Sequence, residues 1–448
     1  MKRLKAFLCF LMAVVMSMSM LACTSGGEPE DATGSDGNSF GAGDGDIKLP
    51  ELDIKSKVVV RYSNYSAIPA KGQKSPVIEM LKQNYGIEVQ EVIAPYDSLY
   101  TKLAQLVMSD QSPDVFEGGN IYLGIKGLVD PLDGKIDYDS PLWKDMKDDS
   151  AFFRWKGKTY FAPISKTSVG DVFYNKKLFA DNGVKTPREL YNEGKWNWDT
   201  FLEVAKAMTY DSDNDGVNDV FGIGGYRYYQ SIINSTGCQF VQINQDGTAV
   251  STLSDERMTR AQEFLAKVGG EKVIDMNMNQ WDVHFKSGRV AMIFEGLWGM
   301  GKAPEMLKKG EIGFVPIPKD PKADKYYISS SYSGESIVAG APHPDAALAL
   351  INCQRMAQFD KASIEQNRKA RKDGGWTDED LAFYNKAYNN DVTHLIETHT
   401  QLGNSLTSVI WTIMTQTTVG KPWATVRDQN TPILNALIDR AINEEVED

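Results

Sequence analysis

The chain has 448 residues, 42% of them hydrophobic and 24% charged, a globular composition that excludes a wholly disordered or fibrous protein. Length on this scale implies roughly two or three domains, each able to bury a core. The formal charge is −12, and loss of Lys2, Arg3 and Lys5 with a leader peptide makes it −15, the wrong sign for gripping nucleic acid.

The first 22 residues have a basic start and then an apolar run from Ala6 to Met20. This run is short for a bilayer span and has the order of regions of a secretory signal. It ends in Met20-Leu21-Ala22-Cys23, followed by Thr24-Ser25-Gly26-Gly27. A small residue before cysteine resembles the bacterial lipoprotein processing site, with Met20 where leucine is usual. That resemblance implies a diacylglycerol on Cys23, and so a chain anchored to the extracytoplasmic face of the cell membrane. The alternative is an ordinary secretory signal cleaved nearby. From Thr24 to Asp46 there are seven glycines and six acids with no hydrophobic period, so residues 23–55 read as a flexible tether. Beyond it no apolar stretch reaches the roughly 18 residues needed to span a bilayer. Cys238 and Cys353 form no metal spacing. They are expected in different lobes, as free buried thiols.

The body alternates strands and helices. Val58-Val59-Val60 is a buried-strand run, and Ser75-Pro76 opens a helix that stops at Tyr85-Gly86. Residues 87–93 alternate with period two, as a half-buried strand does. A helical pattern runs from Ser98 to Met108, then comes the short strand Asp114-Val115-Phe116. This order implies a parallel sheet, with ligands at the C-terminal ends of its strands. Trp198 to Met208 is helical, Val290 to Phe294 a strand, and Pro344 to Met356 an alanine-rich helix. A last helix is expected to start at Thr431-Pro432.

Several motifs occur in a telling order: Ser112-Pro113-Asp114-Val115-Phe116, Leu128-Val129-Asp130-Pro131-Leu132 and Gly157-Lys158-Thr159-Tyr160-Phe161-Ala162-Pro163. Phe173-Tyr174-Asn175-Lys176-Lys177-Leu178-Phe179 and Trp196-Asn197-Trp198-Asp199 follow. Then come His284-Phe285-Lys286-Ser287-Gly288-Arg289-Val290, Glu295-Gly296-Leu297-Trp298 and Gly334-Glu335-Ser336-Ile337-Val338. The ordered set resembles the extracellular solute-binding proteins of carbohydrate ABC importers, the maltose-binding protein family, from about Lys57 to the end. The resemblance implies an α/β fold of two lobes joined by hinge crossings, with a sugar held in the cleft between them. The lobes are expected at 56–166 plus 328–375 and at 167–327 plus 376–448. It also implies delivery of a carbohydrate to an ABC permease by a monomer, with no catalysis.

Asp211, Asp213 and Asp215 stand at positions one, three and five of a calcium-loop pattern. Gly216 is at six for the turn, Val217 offers a carbonyl at seven, and Asp219 is an acid at nine. Gly222 replaces the usual bidentate acid at twelve. The expected role is structural; a solvated acidic turn is the plainer reading. Gly296 to Lys302 matches a phosphate-loop spacing, but Ala303 replaces the magnesium-binding hydroxyl, and nucleotide is rejected.

Sugars present apolar C–H faces with polar rims, so an aromatic plate with polar neighbours suits them. Trp298 matches the family's stacking tryptophan; a core tryptophan is the alternative. Further cleft candidates sit at strand ends: Tyr62, Asn64 and Tyr65 after the first strand, Glu117 and Asn120 after the third, and Glu295 before Trp298. Tyr332, Ser333 and Glu335 are candidates in the returning segment. Tyr226, Tyr228, Tyr229, Trp411 and Trp423 are ambiguous. His394 and His399 are read as surface residues. Two rival classes remain: a surface glycosidase using two of Glu117, Glu295 and Glu335, and a calcium-stabilised adhesin.

Overall fold

The computed structural model describes residues 47–64, 75–225, 227–277, 280–389 and 392–443. The leader, Cys23, the tether as far as Asp46, Tyr65 and Tyr226 lie outside the described residues. The first of two sheets contains β1 (Val58–Ser63), β2 (Glu88–Ile93), β3 (Val115–Glu117), β6 (Ala162–Ser168), β13 (Tyr327–Ile337) and β14 (Thr393–Ile396). Its order is β14-β13-β3-β1-β2, with β6 also paired to β13. β1 runs parallel to β2 and β3, whereas β13 is antiparallel to β3. The second sheet is β12-β7-β11-β8, from β7 (Asp171–Asn175), β8 (Phe221–Gly224), β11 (Val290–Glu295) and β12 (Ile312–Val315). Two ribbons, β4 (Arg154–Trp155) with β5 (Lys158–Thr159) and β9 (Val241–Ile243) with β10 (Ala249–Ser251), stand apart from these sheets.

Local chemistry sets the helices between these strands. α1 (Pro76–Tyr85) begins at Ser75, whose hydroxyl accepts from the Ile78 N–H, with proline in the first turn where no N–H is needed. It ends at Gly86, φ +68°, a left-handed cap. α2 (Leu99–Met108) leads into β3, and the five-residue α3 (Ile121–Ile125) follows it. In the second lobe α4 (Trp198–Ala207) is capped reciprocally by Asn197 and Thr200, while α5 (Tyr228–Ser235) is buried along its whole length. Trp198 stacks on Phe264 of α6 (Glu256–Gly270) at 4.6 Å between ring centroids. α7 (Pro344–Met356) packs Ala346, Leu350 and Cys353 into the first lobe's core with Val59, Leu81 and Val115. Cys353 and Cys238 are free and buried in separate cores.

β2 is the half-buried strand the alternation implies, at the edge of its sheet: Ile87 before it is buried and Val89 and Glu91 are half-buried, while Glu88, Gln90 and Val92 are exposed and only its last residue, Ile93, breaks the period. The last helix, α9 (Trp423–Asn443), corrects the expected start at Thr431-Pro432: it begins eight residues before Thr431 and carries Pro432 inside it. A proline there removes the N–H that would bond the Asp428 carbonyl, and Asp428 is exposed, so water can take that bond. Trp423, Val426, Asn430, Leu434, Ile438 and Ala441 remain buried on one face across the proline.

Among the described residues three chain passages link the lobes. β6 and β13 lie antiparallel from Ala162↔Glu335 to Ser168↔Ser330. Val169 N–H then donates to Ser329, and Gly170 N–H to the Glu295 carbonyl, handing the chain to the second sheet. The third passage lies between α7, in the first lobe's core, and α8 (Asp378–Asn389). α8 belongs to the second lobe through the Arg188–Asp380 ion pair and the Phe314–Phe383 contact. β14, in a stretch expected within the second lobe, pairs parallel with residues 327–330 of β13.

The two histidines read as surface residues belong to this region. His394 Nε2 donates to the Tyr388 carbonyl at 2.9 Å, so its Nδ1 accepts from the Ser330 hydroxyl at 2.6 Å. Burial pushes its pKa down to about 4, which keeps the ring neutral. His399 is buried against Phe240. Pairing with β13 covers one and core packing the other, neither of which a local pattern reveals.

Asp171, at the start of β7, is 1% exposed and accepts from Ser168 Oγ at 2.5 Å. Burial raises its carboxyl from the ordinary 3.8 to about 7. Between those values the native carboxyl keeps a proton that the unfolded chain has released. Stability should therefore fall as pH rises through that window, by up to about 1.4 kcal/mol per pH unit. Asp171→Asn should remove that slope. Denaturant melts of both proteins from pH 4 to pH 8 check it, and parallel pH profiles would refute it.

Candidate functional site

In open α/β sheets ligands sit beyond the C-terminal ends of strands, which directs attention to the residues after Ser63, Glu117, Gly224 and Glu295. In the second lobe β11 ends at Glu295, and the chain turns through Gly296 into the 3-10 stretch Leu297–Lys302. Trp298 in this stretch is half-buried. Its ring lies where a Cβ on Gly296 would sit, and the Glu295 side chain lies where a Cβ on Gly299 would sit. Gly296, the first glycine of the phosphate-loop spacing, and Gly299 are there for close packing.

The Glu295 carboxylate is 3% exposed. It accepts from Arg227 Nε at 3.0 Å and from its neighbour's backbone, Gly296 N–H, at 3.0 Å. The Arg227 guanidinium also lies 5.2 Å from the Trp298 ring centroid. Glu295 is thus a partner of Arg227 rather than an open carboxylate. Arg227 itself was not among the expected residues. It follows the Gly224-Gly225 end of β8, a four-residue strand with two glycines that carries no hydrophobic period.

On the first lobe's side, Asn64 and Glu117 are half-buried at the ends of β1 and β3. Tyr62 is buried within the sheet. Asn120 is 6% exposed and caps α3, its Oδ1 accepting from Leu123 N–H. Its Nδ2 donates to the Thr400 carbonyl at 3.3 Å. The segment around Thr400 is held to the second lobe through Thr398, whose hydroxyl donates to the Val241 carbonyl. Asn120 therefore bridges the lobes. Tyr332 is half-buried, donates to Asp149 at 2.7 Å and packs edge-on against Phe153. Ser333 shares a 2.6 Å hydrogen bond with Ser165 across the β6–β13 crossing.

Glu335 is the clear correction. It is 1% exposed, and its Oε1 accepts from Arg61 Nε at 3.0 Å and Gln354 Nε2 at 2.7 Å. Arg61 is fully buried and also reaches Glu91 at 3.3 Å. Glu335 completes an ion-pair cluster inside the first sheet and is not placed to meet a ligand. Among the ambiguous aromatics, Tyr228, Tyr229 and Trp423 are core residues, and Trp411 is partly exposed with its ring edge-on to Tyr229. A cavity of about 500 Å³ between α6 and residues 417–423 contains none of the expected ligand residues.

The acidic loop folds as a turn around its own backbone. Asp211 accepts from the N–H groups of Asn214 and Gly216 at 2.7 Å each, and these bonds, Gly216 first, hold its carboxyl below the ordinary range. Gly216 has φ +91°. Ligand-type oxygens of Asp211, Asp213 and Asp215 lie within 4.8 Å of one another, a spacing that fits one hard cation. Asp219 instead binds the hydroxyl and N–H of Ser212. Gly222 lies in β8 with its α-carbon against the Ala205 backbone, so no side chain fits at the twelfth position.

Two α/β lobes joined by chain crossings, with a polar-edged tryptophan at a strand end, make up a two-lobed architecture with strand ends facing between the lobes as the place for a site. Residues 65–354 match the family model described as bacterial extracellular solute-binding protein, and the chain belongs to that family. It is 28% identical over 297 residues to the diacetylchitobiose binding protein DasA of Streptomyces coelicolor, covering 61% of this chain and 63% of that one. A putative binding protein of Brucella abortus is 26% identical over 255 residues, or 53% and 57% of the two chains. The chain thus spans somewhat less than two thirds of the length of these relatives. In fold it is similar to a Listeria monocytogenes ABC substrate-binding protein in complex with cycloalternan, with TM-score 0.62, 17% identity and coverage of 85% and 98%. A cyclo/maltodextrin-binding protein complexed with maltotetraose gives TM-score 0.62 at 20% identity, covering 88% and 99%. A sugar transporter protein of Rhizobium etli in an open conformation gives 0.64 at 15%, covering 85% and 100%. Among the described residues no helix is long and apolar enough to cross a membrane.

Proposed function

We propose that this protein captures a carbohydrate outside the cell and delivers it to an ABC permease by closing its two lobes, without catalysing a reaction. The observation that carries the reading is Trp298: a half-buried indole at the C-terminal end of a central strand, edged by Arg227 and Glu295, in a chain of the solute-binding family. Maltotriose and diacetylchitobiose are suitable first probes, in calorimetry with the purified protein. Saturable binding with no new reducing ends is expected. Hydrolysis would favour a glycosidase, although Glu295 and Glu335, two of its three candidate carboxylates, are engaged in buried ion pairs. Absence of saturable binding across a glycan library would favour an adhesin.

The chain acts as a monomer anchored through a lipid on Cys23. Cys23→Ala should release protein into the medium or leave unprocessed precursor; a processed variant still retained on membranes would defeat the anchor.

Asp211, Asp213, Asp215 and the Val217 carbonyl hold one structural calcium ion, with a further oxygen from Asp219 if it leaves Ser212. A cation bound to the folded state alone stabilises it by about 2.7 kcal/mol at a hundredfold excess over Kd. Stripped protein should therefore melt higher when calcium is added, and Asp213→Ala should abolish the increment. Identical melts of the stripped wild-type protein with and without calcium would exclude the ion.

A further inference from the structure

The contacts around Trp298 form a chain of support with a direction. Glu295 is the last residue of β11 and is held in register opposite Asp171 of β7. Its Oε1 takes both the Gly296 N–H and Arg227 Nε. Arg227 arrives from β8, the strand parallel to β11, and lays its guanidinium against the indole. Trp298 itself sits in a segment containing Gly296, Gly299 and Gly301, its ring lying against the bare backbone of Gly296 and beside the Arg227 guanidinium. An indole free to change rotamer would have to be ordered each time a ligand arrived, at a cost in affinity.

We propose that Glu295 and Arg227 are positioning residues: the carboxylate fixes the guanidinium, and the guanidinium fixes the indole on which the ligand stacks. Glu295 then serves the ligand through Arg227 and Trp298 and not by touching it. The arrangement requires arginine. Only a planar guanidinium can be hydrogen-bonded at Nε while one face lies on a ring; a lysine ammonium on a flexible stem does not hold both contacts at once. The consequence for ligand binding rests on the sugar-cleft reading above, whereas the ordering of the indole does not.

The test labels the nine tryptophans with 5-fluorotryptophan and assigns the Trp298 fluorine resonance from its loss in Trp298→Phe. In the sugar-free wild-type protein that resonance should be single and narrow. Arg227→Ala and Glu295→Gln should shift, broaden or split it while leaving the other tryptophan resonances in place. Arg227→Lys should fail to restore it, which separates a planar clamp from a mere positive charge. With whichever of maltotriose and diacetylchitobiose the wild-type protein binds, Kd should rise about 2-fold to 10-fold in each variant, the scale of one side chain's ordering cost. A Trp298 resonance unmoved by Arg227→Ala overturns the proposal. So does tighter binding in that variant, which would mean that Arg227 competes with the sugar for the indole. If Arg227→Ala does not fold, Arg227→Lys carries the same readouts. If the wild-type protein binds neither sugar, it is the choice of ligand that fails, and the fluorine spectrum still decides the clamp.

Discussion

Trp298→Ala should weaken sugar binding about 30-fold to 1,000-fold, the effect of removing a central aromatic anchor worth about 2–4 kcal/mol. The sugar-free melt should hardly move. The indole is half-buried, with a glycine and an arginine side chain among its neighbours, so truncation opens a gap that reaches solvent and not an enclosed core cavity. A core tryptophan behaves otherwise, costing the fold itself about 3–5 kcal/mol. Calorimetry with the bound sugar, beside a melt without it, tells these apart. A collapsed melt would return Trp298 to the core. Full affinity with an intact melt would defeat the stacking role altogether. Closure of two lobes on one ligand shares binding energy across the cleft, so the weakened variant should also close less completely at a given sugar concentration.

Glu335→Ala should act on the fold instead. Arg61 is fully buried, and its pairing with Glu335 at 3.0 Å is among the few that compensate its charge. Deleting one member of a buried pair leaves the other charge in a low-dielectric interior, at a cost of about 3–5 kcal/mol. The nearby Glu91, 3.3 Å from Arg61, should hold the loss toward the lower end of that range. Denaturant unfolding of the variant measures it. Binding per folded molecule should persist where the variant remains folded. An unchanged unfolding midpoint with weakened sugar binding would restore Glu335 to the ligand site and refute this assignment.

A sequence exposes the features that close within a few residues of themselves. Val58-Val59-Val60 and Val290 to Phe294 were legible as strands because a buried strand needs an apolar run whatever lies beside it. The helix after Ser75-Pro76 was legible from its caps, since the orphan groups of a helix end are satisfied within a few residues. The carboxylates of Asp211, Asp213 and Asp215 were legible as a cluster because a short loop brings them together. Arg227 was hidden behind Phe221–Gly224, too short and too rich in glycine to carry a period. Those glycines are required by contact: a side chain at Gly222 would meet Ala205, and one at Gly224 would meet Val290. Pro432 misled the reading of the last helix, because a single lost hydrogen bond on an exposed face is tolerated when a long buried stripe continues past it.

The sequence by itself determined the strands and helices that carry a strong local pattern, the motif set that marks the solute-binding family, and the tryptophan at the end of β11. All of these rest on neighbours within a few residues or on the order of motifs along the chain. Only the tertiary structure decided which polar side chains stay open to solvent and which are buried partners of one another. Glu335 finds Arg61 from 274 residues away, and Glu295 finds Arg227 from 68. A glutamate in a serine-rich strand looks the same in the sequence whether it meets water, sugar or a buried arginine. The choice among them depends on what the fold places opposite it, because a charge can stay buried only where a distant part of the chain supplies its counter-charge.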